Sequence, residues 1–226
     1  MINETIWKEL KDELDAANAT LVAVSKTKPI EDIQALYNLG QRDFGENYVQ
    51  ELVEKQATLP GDIQWHFIGH LQSNKVKLIA PFIHLIHAID SFRLLLEVNK
   101  QAEKNNRVID VLLQMHVANE ETKFGMDTTD IFEFMEYYQA QKDQLKNVRI
   151  RGLMGMATFT DNETQIREEF RKLRTRFNAM KQTDFLFKDY FDTLSMGMSS
   201  DYRLAIAEGS TMVRIGSMLF GARQYS

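Results

Sequence analysis

Short apolar runs alternate with longer amphipathic segments along the whole chain. The runs are nearly continuous in their apolar residues, which is typical of parallel strands covered on both faces. Eight such runs predict strands over residues 20–25, 42–46, 63–69, 84–89, 108–117, 148–157, 191–198 and 212–216. A sheet of such strands needs helices on its faces, and the segments between the runs are long enough to supply them.

These intervening segments repeat their apolar residues at helical spacing. They predict helices over residues 30–39, 48–57, 74–80, 91–105, 129–145, 162–181 and 200–208, after a first amphipathic helix within residues 1–18. No Pro/Gly/Ser-rich linker divides the 226 residues. We therefore predict an α/β fold with one domain, residues 1–226, built as a (β/α)₈ barrel of the TIM type with an extra N-terminal helix. A doubly wound open sheet is the alternative.

The composition narrows the class of partner. Lysine and arginine total 27 against 32 acidic residues, a net charge of −5, so the long-range field does not favour nucleic acid or anionic lipid. The absence of cysteine excludes disulfides and cysteine-bound metals. No stretch of about 18 apolar residues occurs without charge, so no membrane span is expected. We expect a cytoplasmic protein that binds neither nucleic acid nor membrane.

The stretch "LVAVSKTKPI" ends an apolar run in Lys26 and Lys28. In a (β/α)₈ barrel the carboxyl ends of the strands surround the active-site mouth, so Lys26 is expected there. A partly buried lysine loses hydration of its charged form, which favours the free amine that forms a Schiff base with an aldehyde. The alternative is a lysine that reaches the rim or binds phosphate as a point charge. Lys28 is expected at the rim or beside a phosphate.

Two Gly/Ser loops follow the seventh and eighth predicted strands: Gly197, Ser199 and Ser200 in the first, and Gly216 and Ser217 in the second. Loops at these two positions often bind phosphate in such barrels, through backbone N–H groups and hydroxyls. Each residue alone is equally consistent with a turn or a helix cap. An aldehyde-binding lysine and a phosphate site describe a ligand that carries both groups, such as pyridoxal 5′-phosphate. A phosphosugar aldehyde is the alternative.

Two further polar residues lie near this expected mouth. Arg214 stands in the apolar run "MVRIG", where it must find an anion or a π-system or else carry a desolvation cost. It is expected to face the phosphate or the ring nitrogen of the cofactor, or to form a salt bridge inside the barrel. At the ring nitrogen it would disfavour protonation and weaken the ring as an electron sink. Asn47, after the second strand, is expected either to contact the ring or to cap the next helix.

The histidines do not suggest a metal site. His66 and His70 are separated by about 13 Å if both lie on an extended strand, too far to share one ion. His84 and His87 fall on opposite faces of their strand. We therefore expect no metal, with His66 as a hydrogen-bonded interior histidine and His70 in a loop at the mouth.

Six segments resemble, in order, the pyridoxal phosphate homeostasis proteins, which are also described as alanine racemase N-terminal-domain-like: "LVAVSKTKP", "GQRDFGENYVQE", "WHFIGHLQSNK", "RGLMGM", "LSMGMSSD" and "GSTMVRIGSMLFGAR". The resemblance implies a fold-type III barrel with pyridoxal phosphate held as a Schiff base on Lys26. It also implies phosphate contacts from the regions of Ser199, Gly216 and Ser217, with Arg214 close to the cofactor. The function implied is intracellular vitamin B6 homeostasis, with buffering or delivery of the cofactor to apo forms of pyridoxal-phosphate enzymes.

A full racemase is not expected. Two-sided proton transfer needs a base on each face of the substrate, and complete alanine racemases take the second base from an added β-domain and a partner subunit. This chain ends at Ser226, which leaves no room for that domain. We predict a monomeric carrier without robust turnover and without a catalytic residue as such. The alternatives are a racemase- or decarboxylase-like enzyme acting on amino acids, a Schiff-base phosphosugar lyase, and a purely structural or interaction protein.

Overall fold

The computed structural model describes residues 2–118 and 124–221. In these ranges the predicted eight strands form a closed, fully parallel barrel in chain order, so the barrel prediction is confirmed and the open sheet is wrong. The strands are β1 (Thr20–Val24), β2 (Asp43–Glu46), β3 (Gln64–Phe67), β4 (Leu85–Ile89), β5 (Ile109–Gln114), β6 (Val148–Met154), β7 (Thr193–Met198) and β8 (Met212–Ile215).

Helices cover the outside of this barrel. They are α1 (Glu4–Ala16), α2 (Ile30–Asn38), α3 (Val49–Thr58), α4 (Val76–Ile79), α5 (Phe92–Lys104), α6 (Thr128–Gln141), α7 (Glu163–Gln182), α8 (Tyr202–Ala207) and α9 (Ser217–Phe220). Two short 3₁₀ turns, Ser73–Lys75 and Lys142–Gln144, stand where the sequence predicted continuous helix. Within the described ranges, no helix is long and apolar enough to cross a membrane.

The predicted N-terminal helix is present as α1 and packs against the barrel. Its N-cap residue Asn3 accepts a hydrogen bond from the backbone N–H of Ile6 and donates its own N–H to the carbonyl of Leu219, 2.8 Å away. The indole of Trp7, on its buried face, donates to Gln41 at 3.0 Å. The helix therefore joins the two ends of the chain beside β1.

The core has two parts, as a barrel with alternating strand faces requires. Most buried side chains pack between the sheet and the helices. A smaller apolar cluster takes one residue from each of five strands, and this one fills the barrel: Val22, Leu85, Leu112, Met154 and Met212. Four buried polar side chains, one each from β3, β4, β7 and β8, are also present: His66, His87, Ser195 and Arg214. The barrel interior is thus a packed mixture of apolar and polar groups.

A β-bulge in β6 adjusts the register of the barrel. Val111 pairs with Ile150, but Leu112 pairs with Gly152, so β6 contributes one extra residue. Gly152 has a φ of +154°, and a Cβ built on it would lie 1.8 Å from the carbonyl oxygen of Thr193 in β7. Only glycine fits where the two strand backbones approach this closely.

The substitution Gly152→Ala is expected to lower the free energy of unfolding by about 3 kcal/mol or more, because the added methyl group displaces β7 and strains φ. Gly61→Ala is the matched control, since a Cβ there meets nothing within 4 Å. It should change stability by less than about 0.5 kcal/mol. Urea unfolding of both variants measures the difference, and equal midpoints would contradict this role of Gly152.

Candidate functional site

One cavity of about 400 Å³ at the carboxyl ends of the strands brings the sequence-predicted residues together. All six of them line it: Lys26, Asn47, Ser199, Arg214, Gly216 and Ser217. Lys28 and Ser200 line it as well. A larger cavity of about 720 Å³ beside α7 gathers neither Lys26 nor the Gly/Ser loops. We therefore choose the candidate site by the chemistry of its lining residues and not by the volume of the cavity.

Lys26 follows β1 in a tight turn. The next residue, Thr27, has a φ of +61°, which is unusual for a β-branched side chain. Its N–H donates to Oε1 of Glu51 at 2.6 Å, so α3 holds this turn. On the other side, Nζ of Lys28 donates to the carbonyls of Phe220 and Gly221, at 3.1 and 3.3 Å. Lys28 therefore ties the rim to the end of α9, while Lys26 stands between the two anchors.

A buried ionic cluster lies directly behind Lys26. Nζ of Lys55 donates to the carbonyl of Ser25 and to carboxylate oxygens of Glu46 and Glu51, each at 2.7 Å. The hydroxyl of Ser25 donates to the same Oε1 of Glu46 at 2.6 Å. Burial raises the pKa of Glu46 to about 7, although the Lys55 ammonium opposes the shift. Sequence reasoning missed this cluster, since the Glu51–Lys55 spacing is also that of an ordinary surface pair.

Asn47 is the first residue after β2, and two roles were open for it. The N-cap of α3 is Tyr48, and no side chain caps that helix. The Oδ1 atom of Asn47 is buried and accepts no hydrogen bond from the described part of the chain. Because a buried acceptor without a donor is costly, this atom is suited to accept a hydrogen bond from a ligand.

Arg214 is buried inside the barrel near the cavity. One guanidinium nitrogen donates to the carbonyl and the hydroxyl of Ser195, at 2.9 and 2.5 Å, and another donates to the carbonyl of Gly155 at 3.0 Å. No carboxylate of the described residues forms a salt bridge with it, so the predicted salt-bridge alternative is absent in those residues. Burial lowers the pKa of Arg214 to about 10, which still leaves it charged at neutral pH.

A chain of hydrogen bonds runs from Arg214 through the barrel. Beyond Ser195, whose Oγ lies 3.1 Å from Nδ1 of His87, the chain continues from His87 Nε2 to His66 Nδ1, 2.9 Å apart. It ends where His66 Nε2 meets Oδ1 of Asp43 at 2.9 Å. Burial lowers the pKa of His87 well below its ordinary value, so this imidazole is neutral. His66 is the hydrogen-bonded interior histidine that the sequence predicted.

One order of donors runs continuously along this chain from Arg214 to Asp43. Arg214 cannot accept, so it donates to Ser195, whose hydroxyl then donates to His87. His87 donates through Nε2 to His66, which donates through Nε2 to the carboxylate of Asp43. Each of the four links from Arg214 to Asp43 then joins a donor to an acceptor, and Arg214 is held in one orientation.

The two predicted Gly/Ser loops meet at the cavity. The backbone N–H of Gly216 donates to Oγ of Ser199 at 3.3 Å, and Ser217 begins α9. A Cβ on Gly216 would lie 3.3 Å from the carbonyl oxygen of Val24, so the loop passes close to β1. Gly197 instead has a packing role, because its Cβ would lie 2.6 Å from that of Ala205 in α8. The cavity thus combines an amine, a guanidinium, hydroxyls and backbone N–H groups.

Glu46→Gln tests the buried cluster through the pH dependence of stability. The pKa of Glu46 is about 7 in the folded protein against an ordinary 4.5, so its contribution to stability is complete below pH 4.5 and is lost as the pH rises through 7. Between pH 4.5 and 8, the free energy of unfolding of the wild type should fall by roughly 3 kcal/mol relative to the variant. Urea unfolding at both pH values measures this change.

The matched control for that experiment is Glu54→Gln, an exposed glutamate on the same helix, α3. Its stability should change with pH in parallel with that of the wild type. A Glu46→Gln variant that also runs parallel to the wild type would show that Glu46 titrates in the folded protein as it does in the unfolded chain.

Comparison with known proteins identifies the family. The family model described as "Alanine racemase, N-terminal domain" matches residues 5–224. A pyridoxal phosphate homeostasis protein of Aquifex aeolicus is 44% identical over 92% of this chain and 88% of its own length. The protein of the same description from Escherichia coli K12 is 38% identical, over 96% and 95% respectively.

Solved structures agree with this family assignment. PipY of Synechococcus elongatus without PLP has a TM-score of 0.86 at 36% identity, covering 95% of this chain and 98% of PipY. The same protein with PLP bound has a TM-score of 0.79 at 37% identity, with coverages of 90% and 93%. The alanine racemase of Streptomyces coelicolor, at 16% identity and a TM-score of 0.74 over 93% of this chain and 56% of its own, shares the fold. The chain therefore belongs to the alanine racemase N-terminal-domain family, and within that family to the pyridoxal phosphate homeostasis proteins.

Proposed function

We propose that this protein binds pyridoxal 5′-phosphate in the cavity at the carboxyl ends of its strands and serves the intracellular homeostasis of that cofactor, without robust turnover. The observation that carries the proposal is the meeting of Lys26 with the Ser199 and Gly216 loops around one cavity. The description of the relatives as homeostasis proteins and the PipY structure with PLP bound support it. We place the protein in the cytoplasm as a monomer.

The residues fit the chemistry of this cofactor. The amine of Lys26 holds the aldehyde as a Schiff base, and Ser199, Gly216 and Ser217 bind the phosphate through hydroxyl and backbone N–H donors. The buried Oδ1 of Asn47, which accepts no hydrogen bond from the described residues, receives one from a polar substituent of the ring. These assignments give a role to the lysine, to the asparagine and to both Gly/Ser loops of the cavity.

Arg214 supplies the positive charge at the inner end of the cavity. When bound, pyridoxal phosphate provides an aldehyde that exchanges between amines and a ring that stabilises charge on an attached amino acid. A guanidinium fixed by Ser195 and Gly155 disfavours a second positive charge on the ring nitrogen, and so limits that stabilisation. The site thus favours holding the cofactor over driving reactions on it.

The described residues of the cavity wall also offer no second acid–base group of the kind that two-base racemisation of an amino acid needs. Among the described residues that line it, the titratable side chains are Lys26, Lys28 and Arg214, with no histidine, carboxylate or tyrosine. Racemisation through two bases requires a second proton acceptor on the opposite face of the substrate. This lining supports a carrier whose partners are apo forms of pyridoxal-phosphate enzymes.

Reduction with borohydride tests the covalent link. Wild-type protein loaded with pyridoxal phosphate should show a visible absorption band that borohydride removes, and peptide mass analysis should place the pyridoxyl group on Lys26. Lys26→Ala should lose both the band and the label, because the other amine that lines the cavity, that of Lys28, donates to the carbonyls of Phe220 and Gly221. Lys28→Ala is the matched control and should keep both. A label on Lys28 would contradict the assignment to Lys26. No chromophore in the loaded wild type would contradict cofactor binding and favour the phosphosugar alternative.

A transfer assay separates carrier from enzyme. The loaded protein should reactivate an apo-aminotransferase, while single D- and L-amino acids should give no product above that of free pyridoxal phosphate. Lys26→Ala, which cannot hold the aldehyde, is the control for the transfer. Robust turnover of one amino acid that disappears in Lys26→Ala would contradict the carrier and establish an amino-acid enzyme.

A further inference from the structure

At the amino-terminal mouth of the barrel, opposite the cofactor cavity, three side chains from adjacent strands meet. Asp43 begins β2, His66 lies in β3, and His84 directly precedes β4. One donor atom of each lies within 4.8 Å of the others. We propose that Asp43, His66 and His84 form a binding site for a divalent transition-metal ion of the Zn²⁺ class.

His66 is oriented for such a role. Its Nε2 atom faces the cluster, 2.9 Å from Oδ1 of Asp43, and its ring is buried. Its other nitrogen, Nδ1, is hydrogen-bonded to Nε2 of His87 at 2.9 Å. A histidine that binds a metal usually has its second nitrogen fixed by such a partner, which sets the direction of the ring. His66 therefore meets an ion without rearrangement of the barrel interior.

His84 provides the adjustable ligand. Its ring centroid lies 5.3 Å from that of His66, and its side chain is exposed. Bonds of about 2.0 Å in a tetrahedral site place ligand atoms about 3.3 Å apart. His66 Nε2 and Asp43 Oδ1 are already within that distance, whereas the separations in the whole group extend to at most 4.8 Å. Rotation of this one exposed side chain closes the difference. The imidazole of His84 forms no hydrogen bond or ion pair within the described residues, and its backbone N–H, which donates to the carbonyl of Trp65, stays in place when the ring rotates.

Asp43 supplies the negative charge of the proposed site, because the other nearby carboxylate is already paired. The nearby carboxylate of Asp110 accepts two hydrogen bonds from Arg149, at 2.7 and 2.8 Å, and one from Arg151 at 3.1 Å. Arg151 is held from its other side by Asp192 at 2.8 Å. Asp110 is thus already paired with two guanidinium groups, and Arg151 is shared with Asp192.

The donor set selects the class of ion. Two imidazoles and one carboxylate suit Zn²⁺, Ni²⁺ or Cu²⁺, whereas Mg²⁺ and Ca²⁺ prefer all-oxygen sites. Three protein ligands leave an open position toward solvent, which water can fill.

Metal binding changes which ring nitrogen carries the hydrogen in His66 and in His87. Without the ion, His66 and His87 each carry their hydrogen on Nε2, as the direction of the hydrogen-bonded chain requires. When the ion takes Nε2 of His66, that hydrogen moves to Nδ1 and is donated to Nε2 of His87. His87 then carries its hydrogen on Nδ1 and donates it to Ser195. Each ring loses a hydrogen from Nε2 and gains one on Nδ1, so neither changes charge. The shift ends at the hydroxyl of Ser195, which then accepts from His87 and from Arg214 and turns its own hydrogen away from His87.

Calorimetry on full-length, cofactor-free protein treated with a chelator tests the site. Zn²⁺ should bind once per chain with micromolar or tighter affinity, and Mg²⁺ should not bind. His84→Ala should weaken Zn²⁺ binding at least about tenfold, and His84→Gln provides a second, polar replacement. The matched control is His70→Ala, because His70 is also exposed and lies 3.2 Å from a carboxylate, Asp90. No binding by the wild type, or equal losses in His84→Ala and His70→Ala, would overturn the proposal.

Nitrogen-15 NMR of the imidazoles gives a readout that simple surface binding would not move. On adding Zn²⁺, the hydrogen of His66 should shift from Nε2 to Nδ1. Bound Zn²⁺ with unchanged signals of His66 would place the ion elsewhere and overturn the assignment. Because cofactor-free protein is used, this result is independent of whether pyridoxal phosphate binds on Lys26.

Discussion

The ammonium group of Lys55, buried between α3 and the ends of β1 and β2, fixes the part of the chain on which the candidate site depends. A buried cation is tolerated only when several acceptors surround it, and here Ser25, Glu46 and Glu51 do so. The two glutamates also hold the turn around Lys26: Glu46 accepts from the hydroxyl of Ser25, the residue before it, and Glu51 accepts from the N–H of Thr27, the residue after it. The position of Lys26 is therefore set by groups that do not line the candidate cavity.

A second polar network organises the barrel interior. Most such barrels fill this space with branched apolar residues, whereas here a hydrogen-bonded chain joins Asp43 at one mouth to Arg214 near the other. Within residues 2–118 and 124–221, these hydrogen bonds hold the guanidinium of Arg214 in place without a salt bridge to a carboxylate. The hydrogen-bonded chain also physically links the two mouths, since a change of tautomer at His66 reaches Ser195 through one further imidazole.

The sequence predicted the elements well because each depends on local pattern. The eight apolar runs and the helices between them come from periodicity, and Lys26 and Gly216 were placed at one mouth because the ends of parallel strands must coincide there. The four-residue helix α9 was missed, since it is too short to show a period. The sequence predicts a helix over residues 74–80, and a segment this short does not distinguish the 3₁₀ turn Ser73–Lys75 from the start of an α-helix.

Features that depend on contacts between distant elements could not be predicted. His66 and His84 were judged against partners on their own strands, and only the pairing of His66 with Leu85 reveals that they are neighbours. The partnership of Lys55 with Glu46 likewise needs the packing of α3 on β2.

The proposed role of Lys26 is tested most directly by a crystal structure of the protein loaded with pyridoxal phosphate. Continuous electron density is expected from Nζ of Lys26 to the cofactor, with the phosphate between Ser199 and Ser217. Density joined to another lysine, or a phosphate bound away from these loops, would contradict it.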